Sequence, residues 1–108
     1  MIYPIIELFP IKDFRLLAKF SNSEKRLYDM NPTIDSDNIW YDGKQIFKEL
    51  KNTPELFDKA KIYPLGYGVI WTDDIDLDSE DIYYVGKELT EEEYFKILEE
   101  DKMKRTEQ

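Results

Sequence analysis

The sequence predicts a small α+β domain: a mainly antiparallel sheet built from two hairpins, with short helices packed on it and a C-terminal helix. Three observations carry this prediction. Apolar and polar residues alternate over much of the first 30 positions, which is typical of half-buried strands. A turn sequence, residues 64–67, separates two short apolar runs. Thr90 and Glu93 have the spacing of a helix capping box.

The first strands are predicted at residues 5–10, 14–20 and 25–30, with a turn at residues 21–23. In the first strand, Ile6 and Leu8 are expected on one side, with the polar Glu7 between them. One face of the second strand is mostly apolar and is expected to lie inside: Leu16, Ala18 and Phe20. Together the three segments indicate a hairpin that extends to a three-stranded meander.

Residues 31–60 are predicted to contain short helices and one loop. Asn31 is suited to begin a helical turn with Pro32 in its first position. Residues 35–43 are polar and are expected to form the loop, and residues 45–51 have apolar side chains at helical spacing. Thr53 is expected to cap a further helix through its hydroxyl group.

The rest of the chain predicts a second hairpin and two more helices. The hairpin comprises residues 61–63 and 68–71, and Gly66 is expected to take a positive φ in its turn. A short helix is predicted at residues 79–85, capped by Asp78. The last helix begins after Thr90, and its apolar stripe stops at Leu98. We therefore expect its last turns to be solvated or frayed, with the pairs Glu92–Lys96 and Glu100–Lys104 at i,i+4 spacing.

Composition limits the possible functions. The chain has 108 residues and a net charge of −9, with neither histidine nor cysteine. The length fits a single domain, which we place over residues 1–87, and the last predicted helix forms an extension over residues 88–108. Nucleic-acid binding is disfavoured by the charge. The lack of cysteine fits the cytoplasm, and no apolar run approaches the roughly 20 residues of a membrane span.

The order of several short segments resembles one small bacterial family. They are Phe14-Arg15-Leu16, Phe47-Lys48-Glu49-Leu50, Pro54-Glu55-Leu56-Phe57, Tyr67-Gly68-Val69-Ile70-Trp71, Asp74-Ile75-Asp76-Leu77 and Ile82-Tyr83. Over residues 3–87 this order is similar to the domain-of-unknown-function family 2442. The resemblance implies a compact α+β domain, a mainly antiparallel sheet with short helices, but no established activity. It also implies that some members carry a helix-turn-helix after this domain. The genes of other members lie beside another small gene, in arrangements that look like toxin–antitoxin pairs. Only 22 residues follow Gly86, too few for a helix-turn-helix, so DNA binding is not carried over.

Residues 73–81 carry six acidic side chains: Asp73, Asp74, Asp76, Asp78, Glu80 and Asp81. Carboxylates are ligands for Ca²⁺ and Mg²⁺, so a divalent-cation site is one alternative. A calcium-binding loop starting at Asp74 fails, however, because Ser79 replaces the glycine and Val85 the final glutamate. We expect instead a solvated edge strand with Ile75 and Leu77 facing inward. No metal ligand set and no cofactor are predicted.

Catalysis is not predicted either. Without histidine and cysteine, the commonest general bases and nucleophiles are missing, and no spacing singles out a pair of carboxylates. A small carboxylate-based enzyme stays an alternative. The sequence therefore favours a non-enzymatic protein-interaction module, regulatory or antitoxin-like, with a basic protein as partner. We expect a monomer or a weak homodimer. The residues that we expect to contact a partner are aromatic or apolar: Trp40, Tyr41, Tyr94, Phe95 and Leu98.

Overall fold

The computed structural model describes residues 3–35 and 46–107, which form two antiparallel sheets and five helices within those ranges. The fold is α+β, as predicted. In chain order the elements are β1 (Ile5–Ile11), β2 (Arg15–Phe20), β3 (Lys25–Asp29), α1 (Asn31–Asp35), α2 (Lys48–Asn52), α3 (Pro54–Phe57), β4 (Lys61–Ile62), a 3-10 turn (Pro64–Gly66), β5 (Gly68–Thr72), β6 (Ile75–Asp78), α4 (Ser79–Val85), β7 (Lys87–Leu89) and α5 (Glu91–Thr106).

The first sheet has the strand order β1-β2-β3-β7, and the predicted meander forms its first three strands. Leu16, Ala18 and Phe20 all point into the main core, which confirms the inner face of β2. Leu17 is equally buried on the opposite face. β2 is therefore covered on both sides. The fourth strand, β7, pairs with β3 and was missed in the sequence because it is only three residues long.

One prediction about β1 was wrong. The register between β1 and β2 shifts between Ile5 and Glu7, so the strand contains a bulge at this point. Ile5 is buried in the main core, whereas Ile6 is exposed. Ile6 and Leu8 therefore do not share a buried face, because an inserted residue resets the alternation of side chains.

The second sheet has the order β4-β5-β6, and its first two strands form the predicted second hairpin. Gly66 has a φ of +82°, as expected, and its neighbour Leu65 has a φ of +73°. A Cβ atom at Gly66 would lie 2.8 Å from the carbonyl oxygen of Ile5. Glycine is therefore required both by the backbone angle and by the close approach of this turn to β1.

The main core lies between the two sheets and is closed by the short helices. Its buried members include Met30, Ile34, Leu50, Phe57 and Trp71. The indole N–H of Trp71 donates to the carbonyl oxygen of Phe57 at 3.1 Å, so the polar atom of the largest side chain is satisfied. Ile75 and Leu77 of β6 also face this core, which confirms the inner face predicted for that edge strand.

The predicted helices are present, but two of the predicted caps are not. Neither Thr53 before α3 nor Asp78 before α4 accepts a hydrogen bond with its side chain from the helix. The Thr53 hydroxyl instead pairs with the Glu49 carboxylate at 3.4 Å. Both helices are short and lie against the core, so tertiary packing rather than capping stabilises them.

The last helix, α5, crosses the outer face of the first sheet. Its capping box is confirmed: Thr90 Oγ1 accepts from the N–H of Glu93, whose carboxylate accepts from the N–H of Thr90. The last turns are mostly exposed, as expected, but they are not frayed: the helix extends to Thr106, and only Asp101 among residues 99–106 is buried. The surface pairs predicted at Glu92–Lys96 and Glu100–Lys104 are absent among the described residues, and Arg105–Asp101 forms instead.

A second, smaller core lies between α5 and the first sheet. Its members are Ile11, Leu17, Leu27, Leu89, Tyr94, Ile97 and Leu98. The predicted start of the C-terminal extension, residue 88, lies within β7. None of the helices that the structure describes has the length and apolar character needed to cross a bilayer.

Candidate protein-interaction surface

The residues singled out in the sequence fall in two places. Trp40 and Tyr41 lie outside the residues that the structure describes. Tyr94, Phe95 and Leu98 occupy the first half of α5, the part of the helix that begins at the capping box. The candidate surface is therefore built from α5 and the strand that lies beside it.

Tyr94 is the buried anchor of this surface. Its side chain is 1% exposed, and its hydroxyl donates to the carboxylate of Glu7 on β1 at 2.8 Å. Burial, and then the hydrogen bond to Glu7, raise the pKa of Tyr94 above its ordinary value. The ring meets Phe9 and Phe95 edge to face, with centroid distances of 6.5 Å and 5.7 Å. Tyr94 therefore fixes α5 on the sheet and positions both neighbouring rings.

A shallow groove runs between β1 and α5, and Phe9 and Phe95 both line it. Phe9 is 38% exposed and Phe95 is 57% exposed. Leu98 lines the groove as well and reaches down into the smaller core. The polar lining residues are Glu99, Asp101, Lys102 and Arg105. The β1–α5 groove thus presents two aromatic rings and a leucine within a charged rim.

Arg105 anchors α5 beside the groove. Its guanidinium group donates to Asp101 on its own helix at 2.7 Å and to both carboxylate oxygens of Asp58 at 3.1 Å. A further bond goes to the carbonyl oxygen of Pro10 at 3.1 Å. The hydrogen bonds to Asp58, with the Asp101 carboxylate, raise the pKa of Arg105 against the effect of burial. This network explains why α5 stays ordered beyond its apolar stripe.

Asp101 links Arg105 to the backbone that follows β1. It is 9% exposed, and its Oδ1 accepts the backbone N–H of Lys12 at 2.9 Å. A buried carboxylate is costly unless it is paired and hydrogen-bonded, and Asp101 is both. Arg105 also lines a second groove, which lies between the β1–β2 turn and α3. The guanidinium group therefore borders both grooves.

The acidic segment, residues 73–81, forms a separate region on β6 and α4. Its carboxylates make no ion pair with the described residues. Burial, and then the carboxylates of Asp78 and Glu80, raise the pKa of Asp81 above its ordinary value. Within the described residues, no group of three or more carboxylates is placed to hold a metal ion. The segment is thus a concentration of negative charge, and the cation-site alternative gains no support from its geometry.

A polar cluster ties α4 to the β2–β3 hairpin. The Glu24 carboxylate accepts hydrogen bonds from the hydroxyl of Tyr83, the amide of Asn22 and the guanidinium of Arg26. The bond from Tyr83, followed by that from Asn22, lowers the pKa of Glu24. Arg26 also lies over the Tyr83 ring, 5.0 Å from its centroid. This cluster holds α4, and with it the acidic segment, against the first sheet.

The sequence did not predict Phe9 or the charged lining residues of the groove, nor Asp58, which holds Arg105 from outside the groove. The signal for Phe9 was its spacing of two from Ile11, which marks a second apolar face on β1. Nothing in the sequence links Arg105 to Asp58, because Asp58 follows α3 and meets Arg105 only when α5 crosses the sheet.

Two packed antiparallel sheets, with an aromatic groove beside a C-terminal helix, define a small α+β domain. The chain belongs to the DUF2442 family, described as a protein of unknown function, whose model matches residues 5–88. This confirms the resemblance drawn from the sequence. No curated protein and no solved structure matches the chain. The matched segment includes Phe9, whereas Phe95 and Arg105 lie beyond it.

Proposed function

We propose that this protein is a non-enzymatic interaction module that binds another protein through the β1–α5 groove. The observation that supports this most directly is the pair Phe9 and Phe95, two aromatic side chains that line one groove while remaining exposed. Aromatic residues are enriched among the side chains that dominate interface energies, because they bury a large area at a small entropic cost. A partner side chain placed between these two rings would lose contact with water on both sides.

The partner that we propose is basic. The chain carries a net charge of −9, and the carboxylates of the acidic segment have no cationic partners among the described residues. Opposite charge accelerates the encounter of two proteins and discriminates between partners. In this proposal the negative surface steers the partner, and the groove supplies the apolar contact that holds it.

We extend this proposal to a regulatory or antitoxin-like role, in which the acidic protein holds a basic partner inactive. Its support is the charge together with the gene arrangements implied by the resemblance. The same charge is the reason that we propose no direct contact with nucleic acid. We place the protein in the cytoplasm because a chain without cysteine needs no oxidising compartment. The carboxylate-enzyme alternative stays a hypothesis outside this proposal.

The test compares Phe95→Ser with Tyr84→Ser in affinity capture from native cells, quantified by mass spectrometry. Tyr84 is a close structural match: it is 65% exposed, lies on a helix, and meets the preceding tyrosine edge to face at 5.2 Å. It lies on α4 rather than beside the groove. Both variants remove an exposed aromatic ring, so a difference between them isolates the groove.

We expect a basic protein that is retained by the wild type and by Tyr84→Ser and is lost with Phe95→Ser. Its retention should fall as salt concentration rises, because salt screens the attraction between opposite charges. Equal recovery of every protein by the three baits would contradict the proposal. If a captured partner binds Phe95→Ser as well as it binds the wild type, the binding surface lies outside the groove.

A further inference from the structure

We propose that, when no partner is bound, the β1–α5 groove is occupied by a second copy of this chain, whose α5 packs antiparallel against the first. This inference rests on the proposed function only for the location of the groove. Each copy would contribute Phe95 to the groove of the other, so the interface is the same patch used twice.

α5 turns one stripe of residues toward the groove. Residues spaced three and four apart lie on one side of a helix. Phe95, Leu98, Glu99 and Lys102 follow this spacing, and all four line the groove. The stripe holds an aromatic ring near its beginning, a leucine at its centre and a cation near its end.

This order makes the stripe complementary to itself. An antiparallel arrangement about an axis between Leu98 and Glu99 brings Phe95 of each copy next to Lys102 of the other. A lysine ammonium group over an aromatic ring is attractive, and the two-fold axis produces this contact twice. Leu98 and its counterpart lie on either side of the axis, each opposite Glu99 of the other copy. A parallel arrangement would instead set like charges side by side.

The charge along the whole helix favours the same direction. Residues 91–100 contain five glutamates and one lysine, whereas residues 101–107 contain three basic and two acidic side chains. The net charges are therefore −5 + 1 = −4 and +3 − 2 = +1. Antiparallel packing places the negative half of each helix beside the positive half of the other, and it also opposes the two helix dipoles favourably.

The same charges limit the strength of the dimer. Each copy carries a net charge of −9, so two copies repel each other. Dissolved salt screens this repulsion and shortens its range. We therefore expect the dimer to be weak and to strengthen as salt concentration rises. A basic partner has the opposite salt dependence. The sign of the salt effect thus separates self-association from partner binding at one groove.

The experiment is sedimentation equilibrium on the full chain from about 10 µM to about 1 mM, at low and high NaCl. Four variants are compared with the wild type: Phe95→Ser, Lys102→Glu, and the controls Tyr84→Ser and Lys104→Glu. Lys104 is exposed on the same helix but does not line the groove, so Lys104→Glu makes the same charge change elsewhere. Circular dichroism establishes that each variant keeps its helix content.

We expect the wild-type mass to rise with concentration from 13.0 kDa toward twice that value, and to rise further in high salt. Phe95→Ser should abolish the rise. Lys102→Glu should weaken association about tenfold relative to Lys104→Glu, because two lysine–ring contacts are lost. A mass of 13.0 kDa under all conditions would overturn the inference, as would a dimer unaffected by Phe95→Ser or Lys102→Glu. The proposed function would survive that result if partner capture still depended on Phe95.

Discussion

The two terminal nitrogens of the Arg105 guanidinium group donate to the two carboxylate oxygens of Asp58, joining the last turn of α5 to the end of α3 across 47 positions of sequence. Such a two-pronged pair fixes both the distance and the angle between its elements. Together with the bonds to Asp101 and Pro10, it determines where α5 lies on the sheet and therefore how wide the β1–α5 groove is.

Arg105→Lys should destabilise the protein by about 1 kcal/mol. A lysine keeps the charge, but its single ammonium group does not reproduce the planar fork that reaches Asp58, Asp101 and Pro10 together. The measurement is the free energy of unfolding in urea. Lys104→Arg is the matched control, because it makes the reverse exchange at a neighbouring exposed position. Equal stability of wild type and Arg105→Lys would show that the network is held by charge alone.

Tyr94→Phe should cost about 1–2 kcal/mol of unfolding free energy. The variant keeps the buried ring and removes only the hydroxyl that donates to Glu7, a hydrogen bond to a charged acceptor. Tyr84→Phe removes a hydroxyl from an exposed tyrosine and should change stability by less than about 0.5 kcal/mol. If both variants lose the same amount, the Glu7 bond does not stabilise α5.

Two adjacent turn residues should respond to substitution in opposite directions. Leu65 is 86% exposed with a φ of +73°, so Leu65→Asn removes backbone strain and should stabilise the protein by about 0.5–1 kcal/mol. Gly66→Ala should destabilise it by about 2–3 kcal/mol, because the new Cβ meets the carbonyl oxygen of Ile5 at 2.8 Å with φ at +82°. Thermal unfolding monitored by circular dichroism measures both. Shifts of the same sign would contradict this account of the turn.

Asp81→Asn should stabilise the protein at pH 7. Burial and two neighbouring carboxylates raise the pKa of Asp81 in the folded state, so the folded form prefers the neutral acid. The penalty for carrying the charge is present above the folded-state pKa and disappears as pH falls below it. Because the group is largely solvated, we expect about 0.2–0.5 kcal/mol, or roughly 1–3 °C in melting temperature.

The control for Asp81→Asn is Glu100→Gln, which removes one negative charge from an exposed position on α5. It should change the melting temperature less than Asp81→Asn does. Measured again at about pH 3, the difference between Asp81→Asn and the wild type should vanish, since the wild-type carboxyl is then neutral as well. A difference that persists at low pH would assign the effect to packing instead of charge.

The parts of the fold that the sequence predicted are those whose signals are local. The alternation around Leu16, Ala18 and Phe20 identified a buried face, and the capping box at Thr90 and Glu93 located the start of α5. Each signal is contained within a few residues and has one main structural meaning. The hairpin around Gly66 was predictable for the same reason, because a positive φ favours glycine.

The parts that the sequence did not predict depend on contacts between distant segments. β7 is too short to show any period, and only its pairing with β3 makes it a strand. The burial of Leu17 requires knowing that α5 crosses the second face of β2. For the candidate surface, Phe95 and Leu98 were found from helical spacing, whereas Phe9 and Arg105 join them only through tertiary structure.

β2 buries Leu17 on the face opposite its main-core residues, but Arg15 and Lys19 share that face with Leu17. Slippage by one position would turn these two cations toward the main core, so burial selects the register, and the connections at the ends of β2 hold it. Asp13 and Phe14, both at positive φ, form the tight link from β1, and Ser23 does the same in the link to β3. Pro10, opposite Leu16, offers no N–H to a misaligned neighbour. The loops at the two ends of β2 therefore fix the same register that burial selects.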